Sequence, residues 1–229
     1  MNTRFEIGRV AGIPVILDMF FVLVLIIFTY PYFTSGNSQA MSIGLLLIAG
    51  ILGSILLHEL GHAAAAVLFR TRVSQIELTG LGGLISFGSS LPRSGLKRAI
   101  IFLAGPAANF ALMYLCDYLG ALAASGQKPL VALVLYQLSS INFFLMVFNL
   151  LPAFPLDGGR TLDALLGIVV GGLWAQRIVA LLGLVVSFLV AAYAVQSLPG
   201  SLFILFIAFI LLENNWSAFQ QVGGFGGRR

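Results

Sequence analysis

The sequence predicts an all-α integral membrane protein of six transmembrane helices with a small membrane-associated β-sheet. Apolar residues make up 59% of the 229 residues and charged ones 9%, at a mean hydropathy of +1.04. Soluble domains carry about 25% charged residues, so an aqueous fold is excluded. Six apolar runs read as spans of a bilayer whose hydrocarbon is about 30 Å thick. Two further segments alternate polar and apolar residues around glycine turns, as strands do.

In chain order, Thr3 to Leu17 alternate loosely around the Gly12-Ile13-Pro14 break, so a β-hairpin at the membrane surface is expected over residues 1–18. The first span, about Met19 to Phe33, ends in the aromatic group Tyr30, Tyr32 and Phe33 at the interface. It lacks a small-residue cleavage site, so a removed signal peptide is not expected. The second span, about Met41 to Phe69, stops at Arg70 and Arg72, whose charges belong at headgroup level. Between Val73 and Pro92 the helical pattern lapses into alternation, with Gly80-Leu81-Gly82-Gly83 at the turn and a β-like run from Leu84 to Phe87. The tip of this hairpin is too apolar for water. Non-helical backbone at membrane depth needs protein or a wet cavity to satisfy it, so a re-entrant hairpin over 73–92, beside the histidines of the second span, is expected, its plain alternative being a surface turn.

Lys97 and Arg98 open the third span, about Ala99 to Ala124, where Gly105-Pro106-Ala107-Ala108-Asn109 offers small residues for close helix packing. The fourth, about Leu130 to Leu151, runs into an unusually polar stretch from Asn149 to Arg160. Pro152 and Pro155 break the helix there, and Gly158 and Gly159 allow close backbone approach. The apolar piece Leu162 to Leu173 is too short to span and reads as half-inserted or interfacial. Spans five and six, about Ile178 to Val195 and Leu202 to Trp216, are joined by Ser197-Leu198-Pro199-Gly200. The transmembrane domain thus covers 19–219, and the glycine-rich residues 220–229 form a flexible tail.

Charge placement orients this topology. With six spans, of the 12 basic residues only Lys128 falls on one side, which puts both termini in the cytosol by the positive-inside rule. Counting 162–173 as a seventh span would move Arg177, Arg228 and Arg229 outside. The net charge of +4 does not indicate nucleic acid, because the basic residues stand singly at the ends of apolar runs rather than in a stripe. The lone Cys116 leaves no internal disulfide to form. A multi-pass protein of a prokaryotic cell membrane is expected.

The chain is organised around His58, Glu59, Leu60, Gly61 and His62, a His-Glu-x-x-His pattern on the second span. On a helix the two histidines stand about 40° apart and about 6 Å along the axis, so both imidazoles reach one ion, with Glu59 on the same face. These are the only two histidines in the chain. Two neutral nitrogens and a nearby carboxylate form the donor set of hydrolytic zinc. The motif sits one to two turns inside the membrane from the Arg70 face, and the basic residues place that face in the cytosol.

Catalytic zinc takes three protein ligands and keeps a position for water. The third candidates are Asp157, Glu213, Asp163, Glu77, Asp117 and Cys116. Depth favours Asp157, which ends the fourth span at the histidines' face in a stretch that can dip into the bundle; Cys116 and Asp117 lie at the opposite face. Glu213 shares the favoured face, but solvation at a helix end explains it. A carboxylate in hydrocarbon costs about 2.5 to 3.5 kcal/mol on the mildest scale, and a divalent cation removes that cost. One Zn²⁺ per chain would lower the pKa of water toward about 7, with Glu59 as general base. Asn149 is the candidate donor to a developing oxyanion, its plain alternative being a helix-packing amide.

The motif at 58–62 and the stretch Asn149 to Arg160, in that order, resemble the site-2 proteases, zinc metalloproteases that cut within the membrane. The Gly80-Leu81-Gly82-Gly83 hairpin and Gly105 to Asn109 support the resemblance. It implies His58, His62 and Asp157 as zinc ligands, Glu59 as base, Asn149 near substrate, and a catalytic core of about 41–160. It implies substrates that are single-pass transmembrane proteins of signalling or regulatory function, within a lipid bilayer and with no nucleic acid. A helical substrate must unwind to expose a peptide bond, and the 73–87 hairpin offers an edge for strand addition. Other readings are a metal transporter, which calls for polar residues reaching the outer face, and a catalytically inactive substrate-binding relative, against which the intact Glu59 speaks.

Overall fold

Hydrocarbon offers a backbone no partner but itself, and the apolar runs accordingly become helices. The structure is a computed structural model that describes residues 4–80, 82–196 and 202–223. Along the chain come β1 (Arg4–Val10), β2 (Ile13–Asp18), α1 (Met19–Thr34), α2 (Ser38–Leu68), β3 (Val73–Thr79), β4 (Gly82–Phe87), α3 (Gly95–Ser125), α4 (Pro129–Asn149), α5 (Asp157–Val170), α6 (Gly172–Gln196) and α7 (Leu202–Gly223). The expected 197–200 connection, Leu81 and residues 224–229 of the expected tail lie outside the described residues. Residues 220–223, assigned to that tail from sequence, continue α7.

The six-span count is not reproduced. Among the described residues, five helices, α2, α3, α4, α6 and α7, are long and apolar enough to cross a membrane. Helix α1 has 16 residues, about 24 Å of rise against about 30 Å of hydrocarbon. Helix α5 is shorter still at 14 residues, as the sequence indicated. The spanning helices expose large apolar side chains such as Leu115, Phe144 and Phe188, the surface of a multi-pass membrane protein.

Local chemistry sets the helix starts. The Asp18 carboxylate accepts from Phe20 N at 2.7 Å to begin α1, and the Asn37 side chain accepts from Gln39 N at 2.9 Å to begin α2. Each satisfies an amide that the first helical turn leaves unpaired. Helix α2 closes with Arg70 at φ 61°, where Thr71 N returns to Ala66 O at 2.9 Å and the chain turns into β3.

By contacts, the chain divides into two compact units, Met1–Leu91 with Ala104–Met146, and Pro92–Leu103 with Val147–Arg229. In the first, the two sequence hairpins merge into one sheet of order β1-β2-β3-β4. The join is parallel, Val15 opposite Ile76 and Leu17 opposite Leu78. Val15, Ile76, Leu78 and Ile85 bury their side chains with Phe21 and Leu25 of α1 and Ile55 and Ala63 of α2. This sheet-on-helix core fixes β4 along the motif-bearing helix. Small residues bring α3 against α2: a Cβ on Gly61 would collide with the Ala104 carbonyl and lie 3.2 Å from Ala108 Cβ.

In the second unit, α6 and α7 pair, and α5 packs on α6. Gly95 at the start of α3 lies against the Ala164 carbonyl and Ile168 of α5, and the Arg160 guanidinium stands 5.7 Å from the Phe102 ring centroid.

Candidate active site

Helical geometry delivers the motif to one buried face of α2. His58, Glu59 and His62 are 6%, 3% and 3% exposed, and one donor atom from each lies within 4.8 Å of the others. The two Nε2 atoms are 3.1 Å apart, with the rings at 84° and centroids 4.8 Å apart. Two nitrogens bound tetrahedrally to one zinc at about 2.0–2.1 Å stand roughly 3.3 Å from each other, so the imidazoles are already spaced for a shared ion. Room for it comes from α3. A Cβ on Gly105 would fall on the His62 ring and 2.6 Å from His58 Nε2, so only glycine leaves that position clear. The donor set and the cradle fit Zn²⁺.

Behind the metal-facing edge runs a buried polar relay. His58 Nδ1 pairs with Asn109 Oδ1. An amide oxygen only accepts, so Nδ1 carries the proton and Nε2 is the nitrogen able to bind a cation. Asn109 Nδ2 donates to Asn142 Oδ1 at 2.8 Å, and Asn142 Nδ2 donates to Ser54 Oγ at 2.9 Å and to Leu138 O at 2.9 Å. Both asparagines are 0% exposed. The relay leaves α2 at His58, crosses α3 and α4, and returns to α2 one turn earlier at Ser54. Sequence reasoning read Asn109 only as part of a small-residue stretch and passed over Asn142 and Ser54. The available signal was an amide inside an apolar span, where a polar side chain is costly without a partner.

Glu59 faces the hairpin: a Cβ on Gly83 would fall on its carboxylate and Cγ, so bare β4 backbone lies against the acid.

The other candidate ligands sort by their surroundings. Glu77 is buried on β3 but paired with Arg4 Nη1 at 3.3 Å and accepts from Gln75 Nε2. Asp117 and Glu213 are exposed, and Cys116 is half-buried two turns beyond Asn109 on α3. Asp163, half-buried on α5, has its carboxyl pushed up by burial, with the Arg98 guanidinium pulling it back. Asp157 and Asn149 belong to the second unit. Asp157 is 6% exposed in the first turn of α5, and Asn149 ends α4 half-buried. The Gly158-Gly159 pair is explained locally, since a Cβ on either would strike the carbonyl of Leu150 or of Ala153, against which the first turn of α5 folds.

The sequence model of peptidase family M50 matches residues 46–133 and 123–193, a range that holds His58, Glu59, His62, Asn149 and Asp157. The chain belongs to peptidase family M50. This M50 chain is 30% identical over 201 residues to a zinc metalloprotease of Methanocaldococcus jannaschii, covering 86% of the chain and 56% of that relative. The chain therefore spans little more than half the length of the curated relatives it matches. Its fold is that of the solved site-2 protease from Methanocaldococcus jannaschii, at a TM-score of 0.69 and 23% identity over 94% of this chain and 95% of that one.

Proposed function

We propose that this M50 chain is an intramembrane zinc metalloprotease that hydrolyses peptide bonds within the transmembrane segments of membrane-anchored proteins, as in regulated intramembrane proteolysis. One observation carries the reading: two imidazoles and a carboxylate, all buried, converge within 4.8 Å on a helix apolar enough to span a bilayer. Charge-bearing donors at such a depth call for a cation.

His58 and His62 would hold the ion, one per chain, with Asp157 as third ligand. Support for Asp157 comes from its burial at 6% exposure and its place in the second motif shared with the site-2 proteases. Bound Zn²⁺ supplies Lewis acidity, lowering the pKa of water toward about 7 and polarising a carbonyl. Glu59 takes the proton of the attacking water and passes it to the leaving nitrogen. Asn149 offers its amide to the oxygen on which negative charge develops.

The substrate would meet the site as an extended strand. Strand β4 pairs only with β3 among the described residues, leaving its other edge for a peptide to join, and its Gly83 backs Glu59. Gly88 N donates to Arg72 O at 2.9 Å, so strand alternation turns the amides of Phe87 and Ile85 toward the open edge. Ile85 is 6% exposed and part of the sheet core, which makes Phe87→Pro the cleaner test. Cleavage should slow while zinc is retained, and unchanged turnover would discard strand addition.

We place α1 as a sixth span, its shortness accommodated by local bilayer thinning, with both termini and the active-site end in the cytosol. The 11-to-1 split among the 12 basic residues supports this.

The test of the reading compares Glu59→Gln with His58→Ala on a tagged single-pass substrate in proteoliposomes. Both variants should lose cleavage, and only the histidine variant should lose metal. Normal cutting by Glu59→Gln would refute the mechanism.

A further inference from the structure

We infer that Asn215, on the last helix, is a positioning residue for the Asp157 carboxylate and acts through the backbone of Phe154. The inference rests on the reading of Asp157 as a zinc ligand.

Asn215 is 0% exposed, and its side chain takes both backbone groups of one residue. Its Oδ1 accepts from Phe154 N at 3.0 Å, and its Nδ2 donates to Phe154 O at 2.8 Å and to Leu211 O at 2.7 Å. This is the pair of bonds a neighbouring β-strand would make. Phe154 lies between α4 and α5, where no helix satisfies the backbone, so in an apolar surrounding those two groups need such a partner. Asn215 replaces the missing strand.

The clamp is transmitted over a short distance. Ala153, beside Phe154, is 0% exposed, and its carbonyl accepts from Leu156 N at 2.9 Å. Gly159, in the first turn of α5, rests on that same carbonyl. Shifting Phe154 therefore moves the turn on which Asp157 stands. Helix α6 is shaped for the arrangement, since a Cβ on Gly183 would fall on Asn215 Oδ1. An amide that only packed two helices would need neither the bidentate contact nor a bare Cα opposite it.

The experiment measures zinc affinity of the purified full chain by competition with a chromophoric chelator, together with kcat and KM on a single-pass substrate. Four variants are compared: Asn215→Leu, Asn215→Asp, Asp157→Asn, and Val179→Ala, a cavity in α6 at a 0% exposed position. Asn215→Leu should weaken zinc binding about 10-fold, the low end for loss of a ligand's own partner because it acts through the Phe154 backbone, and lower kcat with KM little changed. Asn215→Asp keeps the acceptor for Phe154 N–H and should lose only several-fold, which decides the matter if the leucine variant fails to fold. Val179→Ala should lose thermal stability but keep its zinc affinity. Weakened zinc in Asp157→Asn with native affinity in the Asn215 variants, or a loss in Val179→Ala equal to theirs, would overturn the inference. Native zinc affinity in Asp157→Asn would instead remove the ligand reading on which it stands.

Discussion

The side-chain oxygen of Asn109 sits on the Nδ1 edge of His58, and that contact selects Nε2 as the nitrogen presented toward His62. The expected outcome of Asn109→Ala is a zinc affinity lower by about 10- to 100-fold, the usual effect of losing a partner that orients a metal-binding histidine. Asn142→Ala acts one bond further away and should cost less. Equilibrium dialysis against buffered zinc separates the two, and equal affinities in native and Asn109→Ala protein would show that the relay serves packing alone.

Gly105 is the position where α3 passes the two imidazoles without a side chain. Its added Cβ would meet both imidazoles at their Nε2 atoms, so Gly105→Ala should abolish zinc uptake even where the protein remains folded. Circular dichroism and metal analysis of the same sample check this; a loaded Gly105→Ala variant would mean that the ion sits elsewhere.

Gly83 allows the proposed role of Glu59 as base to be tested separately from metal binding. A Cβ there would collide with the Glu59 carboxylate, and its three nearest atoms all belong to Glu59. Gly83→Ala should lower kcat by about 10²-fold or more, the contribution of a positioned general base, and leave the zinc content native. Steady-state kinetics on a loaded sample provide the measure.

Asp163 supplies a pH signature outside the spanning helices. Burial raises its carboxyl above the ordinary value, against the pull of Arg98, so its ionisation costs more in the folded than in the unfolded chain. Its stability contribution is most favourable below the unfolded pKa of about 3.9 and declines as pH rises through the folded value. Asp163→Asn should therefore raise Tm at pH 7, with the gain vanishing near pH 4. A lower Tm at pH 7 would mean that the attraction to Arg98 dominates.

The helices and hairpins were legible because membrane solvation writes its demands locally: apolar runs, flanking arginines and glycine turns each declare themselves within a few residues. The His58-Glu59-His62 face followed from the helical repeat alone. The parallel join of β2 to β3 was not legible, since Val15 and Ile76 are 61 positions apart and no local pattern encodes a parallel register. The sixth span was less legible, since the apolar helix α1 has only 16 residues and length alone does not mark it as crossing a bilayer. Asn109, Asn142 and Asn215 were missed for a common reason. A single asparagine in an apolar helix states that it needs a partner, but not which backbone or ring supplies it.

The most direct measurement titrates zinc against cleavage in one preparation of native protein. Chelator-stripped protein in proteoliposomes is given zinc in steps, and bound metal and substrate cleavage are read together. The account predicts no cleavage without metal and a rate that rises in proportion to occupancy, saturating at one ion per chain. Cleavage at a native rate by fully stripped protein would contradict it.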